Sequence, residues 1–200
     1  MAKKGNGLLL VLMQPPSTLE EEFTAWYDTE HVPERAALPG FKSALRYVNL
    51  SGYPRYMAIY DLDSVETLDT PEYQAVSGQN FSPWTKRVTS RVQVYRIVGK
   101  QVYPGDAVTH RSSRAVLLRM RAVGPEKEDQ IVAALRATFE GRPETRGLRV
   151  FRADEARGTD YFCLVEMTPL PLQQIDLRDL GQFAANVDMV NIYAPYDLGG

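Results

Sequence analysis

The chain has one cysteine, Cys163, among 200 residues, so no disulfide can close within it and no Cys-x-x-Cys or Cys/His pairing can hold a structural zinc. Histidine is almost as scarce: His31 and His110 are too few for a cluster of imidazole ligands. An excess of one charge is also missing. Twenty-three basic and 25 acidic side chains leave a net charge of −2, which supplies no broad positive field for nucleic acid or an anionic lipid surface. The apolar run near the N-terminus, Leu8 to Met13, is far too short for a membrane span or a signal segment. No Gly-rich phosphate loop, Gly-x-Ser-x-Gly elbow or Cys/His nucleophile pair is present. The expectation is a cytoplasmic protein with no metal, cofactor, nucleic-acid partner or membrane contact. What is present is an ordinary mixture, 44% apolar and 24% charged, able to bury a sizeable core.

Turn and breaker residues divide the chain into two halves with one element order. Gly7 to Met13 reads as a buried strand. Ser17-Thr18-Leu19-Glu20-Glu21-Glu22 offers a capping box and an acidic first turn, so a helix starts there, with Leu19, Phe23, Trp26 and Tyr27 as its apolar stripe. Pro33 should end it. A strand from Phe41 to about Leu50, a turn at Gly52 to Pro54 and a returning strand from Tyr56 to Leu62 form a hairpin. A helix from Asp63-Ser64 to about Val76, interrupted or restarted at Pro71, and a strand from Arg91 to Val98 complete β-α-β-β-α-β. The second half repeats the order: strand Arg114 to Arg121, a helix opened by Gly124-Pro125, strands Gly147 to Ala153 and Tyr161 to Met167, a weaker helix within Pro169 to Ala184, and strand Val187 to Tyr193.

The predicted fold class is therefore α+β, two tandem ferredoxin-like units forming a pseudo-dimeric α/β barrel. The predicted domains are 1–103, carrying the candidate site; 104–113, a linker; and 114–200, which completes the barrel.

Aromatic residues are unevenly shared. Residues 1–105 hold 13 of 20 aromatics and 8 of 11 tyrosines, which favours a pocket in the first half, although strand propensity enriches tyrosine too. His110 falls in the linker and reads as a solvated side chain. His31 closes the first helix, with Asp28 three residues back and Tyr27 four. A helix C-terminus and a neighbouring carboxylate both favour the imidazolium, so Asp28 is expected to orient His31 and bring it into the neutral range; a purely structural helix-end histidine is the alternative. On the strands, Arg46 is the candidate for a ligand carboxylate or enolate, Tyr60 and Tyr95 are expected nearest His31, and Trp84 is expected on a loop as a lid or as packing. Cys163 reads as a buried apolar residue.

The segment Phe23-Thr-Ala-Trp-Tyr-Asp-Thr-Glu-His31-Val-Pro33, followed by Leu38-Pro39-Gly40-Phe41 and then Arg55-Tyr-Met-Ala-Ile-Tyr60-Asp-Leu62, resembles the EthD-like group of the dimeric α/β-barrel superfamily. The resemblance spans about 40 residues by motif and both halves by element order. It implies a barrel cavity for a small organic ring or lactone, polar residues acting without a cofactor, and His31 as general acid/base or ligand hydrogen-bonder. Others of the superfold are oxygenases or heme proteins. Aligning Gly147 with Gly40 puts Thr138 at the place of His31, so one site per chain is expected.

The leading expectation is a cofactor-independent isomerase or lyase acting on a small cyclic or aromatic-derived metabolite, with His31 and Asp28 catalytic and Tyr27, Arg46, Tyr60, Trp84 and Tyr95 binding the ligand. The alternatives are a non-catalytic small-molecule binder and an assembly module with a filled barrel. A homodimer through exposed edges and helices is the expected association.

Overall fold

A computed structural model of the chain describes residues 5–50, 52–156, 158–168 and 175–196. The run GLLLVLMQ, Gly7–Gln14, is β1. Its apolar residues are continuous because the strand is buried on both faces and paired on both edges, antiparallel to β3 (Tyr56–Leu62) and β4 (Gln93–Tyr103). The second half has a matching centre: β5 (Arg114–Met120) lies between β7 (Gly158–Met167) and β8 (Val187–Pro195). With β2 (Leu45–Asn49) and β6 (Thr145–Glu155), the strands close an antiparallel barrel in the order β1-β3-β2-β8-β5-β7-β6-β4. Each half contributes four adjacent strands in corresponding order, and the halves meet at two seams, β2/β8 and β4/β6.

Alternation along the strands sorts side chains between two environments. Leu8, Leu10, Leu12, Tyr47, Ile59 and Phe162 point inward and fill the barrel. The opposite faces carry the layers of helices. In the first half Leu9, Val11, Tyr56 and Tyr60 pack against Phe23, Trp26 and Tyr27 of the first helix. In the second half Val116, Leu118 and Cys163 pack against Ile131, Leu135 and Phe139 of α5, Glu128–Phe139.

The first helical layer departs from expectation at two places. Pro33 does not end the helix. After α1 (Glu20–Trp26) the backbone widens into a π turn, Tyr27–His31, and continues as α2, Val32–Ala36, with Pro33 in its first turn. Proline has no N–H to return to the preceding turn, and a widened turn is where its ring is tolerated. The helical stretch expected from Asp63 to about Val76, interrupted or restarted at Pro71, is a 3-10 helix, Val65–Asp69, followed by a single turn, α3, Pro71–Gln74. A further helix, α4 (Pro83–Thr89), had a legible signature: the Ser82 hydroxyl accepts from the Thr85 N–H and proline stands at the first helical position. Trp84 is thus helical, not on a loop. In the second half, 169–174 lie outside the described residues, and a 3-10 segment, Arg178–Asn186, precedes β8. Among the described residues no helix is long and apolar enough to cross a membrane.

Candidate functional site

The π turn determines which side chains of the first helix face the sheet. Within it, Tyr27 and His31 are four residues apart, and both turn into the layer between helix and sheet. The His31 ring lies 4.5 Å from Trp26 at a 30° tilt, 5.3 Å from Tyr27 edge-on and 6.5 Å from Tyr60 edge-on. The Tyr27 hydroxyl donates to Met13 Sδ at 3.2 Å. The Tyr60 hydroxyl couples electrostatically to Tyr27 but makes no well-formed hydrogen bond. Burial pushes Tyr27 up to about 12 and Tyr60 well above the ordinary phenol range, so both stay neutral donors.

Burial, aided by the Arg35 guanidinium one turn further on, pushes His31 down to about 3. This reverses the expected imidazolium. Asp28 does not orient the ring either: its carboxylate accepts from Arg46 across the interface, with side chains only 10% and 5% exposed. The cause is geometric, since Arg46, at the start of the short strand β2, reaches over the helix layer. Its guanidinium lies 4.4 Å above the Tyr27 ring and 4.2 Å from the Tyr196 ring, with Phe23 and Tyr56 beyond. His31 and Arg46 therefore rest on the same tyrosine, from edge and face.

Tyr60 stands beside His31, as expected, but Tyr95 does not. It belongs to the inward face of β4, packed with the barrel interior and 5.2 Å beneath Arg119 of β5. Trp84 packs against the first helical layer, its indole N–H buried without an acceptor among the described residues. Arg35 and Glu30 are site neighbours that the sequence did not single out. Arg35 donates to Val76 O at 2.7 Å, and Glu30 accepts from Thr85 Oγ1, which itself takes the Trp26 indole N–H at 2.9 Å. Position i+4 from His31 was the available signal for Arg35; nothing local marks the Glu30 partnership, which joins residues 55 apart.

Inside the barrel, where the cavity was expected, Leu8, Leu10, Leu12, Tyr47, Ile59 and Phe162 pack into one apolar cluster. A cavity of about 460 Å³ opens at the β2/β8 seam and is lined by Asp28, Val32, Arg46 and Tyr47 of the first half together with Arg111 and Tyr196. His31 is not in its lining; its neighbour Val32 is. At the position of His31 in the second half, Thr138 is buried and its hydroxyl donates to Ala134 O at 2.8 Å, closing its own helix.

A metal centre has no donor set: no cluster of three His, Cys, Asp or Glu occurs among the described residues. Heme fits no better. Trp26 covers a face of His31, Tyr27 and Tyr60 stand at its edges, and the second helix layer is closed by apolar side chains around Cys163, whose thiol burial pushes far up.

No family model matches the chain, and no curated protein matches its sequence. Solved structures do share its fold. An anthrone oxidase-like protein superposes with a TM-score of 0.69 at 13% identity, covering 98% of this chain and 93% of its own. Chlorite dismutase from Candidatus Nitrospira defluvii gives 0.61 at 10%, covering 98% and 92%. A heme-binding protein from Thermus thermophilus gives 0.56 at 12%, covering 97% and 92%. At these identities the likeness is one of fold: the α+β arrangement of dimeric α/β-barrel proteins, with the eight-stranded barrel closed here by one chain.

Proposed function

We propose that this chain is a cofactor-independent enzyme that binds a small cyclic or aromatic-derived metabolite in its first half and transfers a proton at it. In this reading it is an EthD-like protein made of two ferredoxin-like units in tandem, working in the cytoplasm, with association as a homodimer. One observation carries the functional part. Five buried polar atoms have no hydrogen-bond partner among the described residues and belong to the first helix–sheet layer: His31 Nδ1, Arg35 Nη1, Arg46 Nη2, Tyr60 Oη and Trp84 Nε1. Each such atom costs about 1–3 kcal/mol, a penalty that a polar ligand placed there would relieve.

The roles follow from charge and tautomer. His31, neutral at pH 7, is the base. The ring of the metabolite packs among the aromatic side chains, and Arg46 holds its anionic oxygen. Removal of a proton by His31 Nδ1 leaves the electron pair on the metabolite as an enolate or phenolate. Return of that proton at another carbon is isomerisation; expulsion of a leaving group is elimination. In the empty site His31 is a weak base, and an anion forming beside it raises its basicity, so transfer becomes favourable only with ligand in place. The likeness to an anthrone oxidase-like protein supports the choice of ring class, because an anthrone is a carbon acid on fused aromatic rings.

A second reading, a binder without chemistry, is favoured by that same low basicity of His31. His31→Ala separates the two. Histidine NMR identifies ring compounds that bind the wild type, and deuterium exchange at their acidic carbon measures proton transfer. Exchange lost by 100-fold or so with affinity kept within about threefold supports the enzyme. Wild-type binding with no exchange supports the binder, and absence of any binding overturns both.

A further inference from the structure

The linker between β4 and β5 crosses one end of the barrel, and carboxylates from both halves fix its main chain there. The Thr109 N–H donates to Asp61 of β3 at 2.7 Å, and the next amide, the His110 N–H, donates to Glu166 of β7 at 3.1 Å. Arg149 of β6 spans the two anchors, reaching Asp61 at 2.7 Å, the Thr109 hydroxyl at 2.7 Å and Glu166 at 3.2 Å. The residues that follow, Arg111, Ser112 and Ser113, form part of the wall of the cavity at the β2/β8 seam before β5 begins at Arg114.

The two anchors differ in strength. Asp61 also accepts from the Ser43 hydroxyl at 2.6 Å, and Thr109 is gripped through its side chain as well as its N–H. His110 is exposed, and its N–H shares a single oxygen, Glu166 Oε1, with Arg149. The other oxygen, Oε2, lies against Gly147, where a Cβ would stand 3.0 Å from it, so glycine at this point leaves the carboxyl room to carry a proton. Beyond His110, the Ser112 hydroxyl donates to Arg114 O at 2.9 Å and Arg114 Nη1 donates to Ser113 O at 2.6 Å, bonds that close within the linker and the first residue of β5.

We propose that residues 110–113 form a flap over this cavity, hinged at Thr109, latched by the ionised Glu166 carboxylate and released when that carboxylate takes up a proton. The flap controls entry to the cavity whatever the cavity binds, so it stands apart from the proton transfer proposed above. A proton on Glu166 turns the charge-assisted bond from the His110 N–H into an ordinary one and removes the pull of Arg149, weakening the latch by about tenfold. The surroundings fix the sign. Burial, the largest influence, and Asp61 of β3 favour the neutral carboxyl; Arg149 of β6, the His110 N–H and a positive charge on His110 favour the ionised one. Burial prevails and raises Glu166 above the ordinary carboxyl value of 4.5. Tyr47 of β2, which stands near Glu166, Asp61, Arg149 and Arg111, is pushed up to about 12 by burial and adds no charge. The latch is therefore strongest near neutrality and loosens in mild acid.

Amide hydrogen exchange of the whole chain, followed by NMR, tests the latch by comparing His110 with Thr109, its neighbour on the fixed side of the hinge. After correction for the intrinsic pH dependence of exchange, the His110-to-Thr109 rate ratio should rise about tenfold between a pH of about 7 and one of about 4.5. A constant ratio overturns the proposal. Glu166→Gln imitates the protonated carboxyl at neutral pH. Trypsin should cut this variant after Arg111 about tenfold faster than the wild type, with cleavage after Arg178, whose side chain is 89% exposed, unchanged. Wild-type cleavage after Arg111 overturns the flap, and so does equal acceleration at both sites, the mark of general loosening. If the variant does not fold, the wild-type exchange ratio decides alone.

Discussion

Arg46 and Asp28, 18 residues apart in the chain, form an ion pair across the first helix–sheet layer with both side chains nearly buried. The pair fastens the π turn to β2 and sets one wall of the cavity. Removing one member strands a buried charge, so Asp28→Ala is expected to cost about 3–5 kcal/mol of stability. The double change Asp28→Ala with Arg46→Met should recover part of that loss. Urea denaturation of the three proteins measures it, and an unchanged Asp28→Ala midpoint contradicts the ion pair's role.

His31 makes stability depend on pH with a definite sign. Its folded value of about 3 lies below the unfolded 6.5, so between these the unfolded chain binds the extra proton and acid favours unfolding. Stability should fall as pH drops from about 6.5 towards 3 and level off below, by at most about 1.4 kcal/mol per pH unit from this group. Subtracting the profile of His31→Gln isolates the contribution. A wild-type profile parallel to the variant's over that window would show that the ring is not buried neutral.

A second buried cluster joins the halves at one end of the barrel. Arg149 donates to Asp61 at 2.7 Å, to Thr109 Oγ1 at 2.7 Å and to Glu166 at 3.2 Å, all deeply buried. Asp61 and Glu166 occupy matching positions, each next to the strand residue facing the start of β1 or β5. Arg149→Met leaves two buried carboxylates facing each other and should cost about 3–5 kcal/mol. Glu166→Gln should cost less than half as much, because burial already pushes the Glu166 carboxyl up towards its neutral form. Chemical denaturation near neutral pH ranks the two, and the reverse order refutes the account.

Cys163 is fully buried and its thiol is held far above the ordinary range by desolvation. A thiol reagent should leave the native chain unmodified at neutral pH and react once denaturant unfolds it. Rapid labelling under native conditions would contradict the packing of the second helix layer.

The linear order of elements was legible because it rests on local physics. Apolar runs of strand length, the helical stripe from Leu19 to Tyr27 and proline or glycine at the turns act through nearest neighbours and bias the backbone before any long-range contact forms. The aromatic crowding of the first half and the place of His31 could be read in the same way. Alternation could also say that Tyr56, Ala58 and Tyr60 share a face. It could not say which face a helix covers, since in a closed barrel both sides of a strand are apolar; hence Tyr95, by period a fair partner for His31, points instead into the barrel.

The surroundings of these side chains arise from contacts between distant residues. The charge state of His31 depends on how many atoms exclude water from it and on Arg35 beside it, the partner of Asp28 on how far Arg46 reaches across the layer, and the cavity on which side chains of the two halves meet at the β2/β8 seam. A short run of residues specifies backbone preference and period. Desolvation, ion pairing and empty volume are properties of surfaces brought together, and they arise only when the barrel closes.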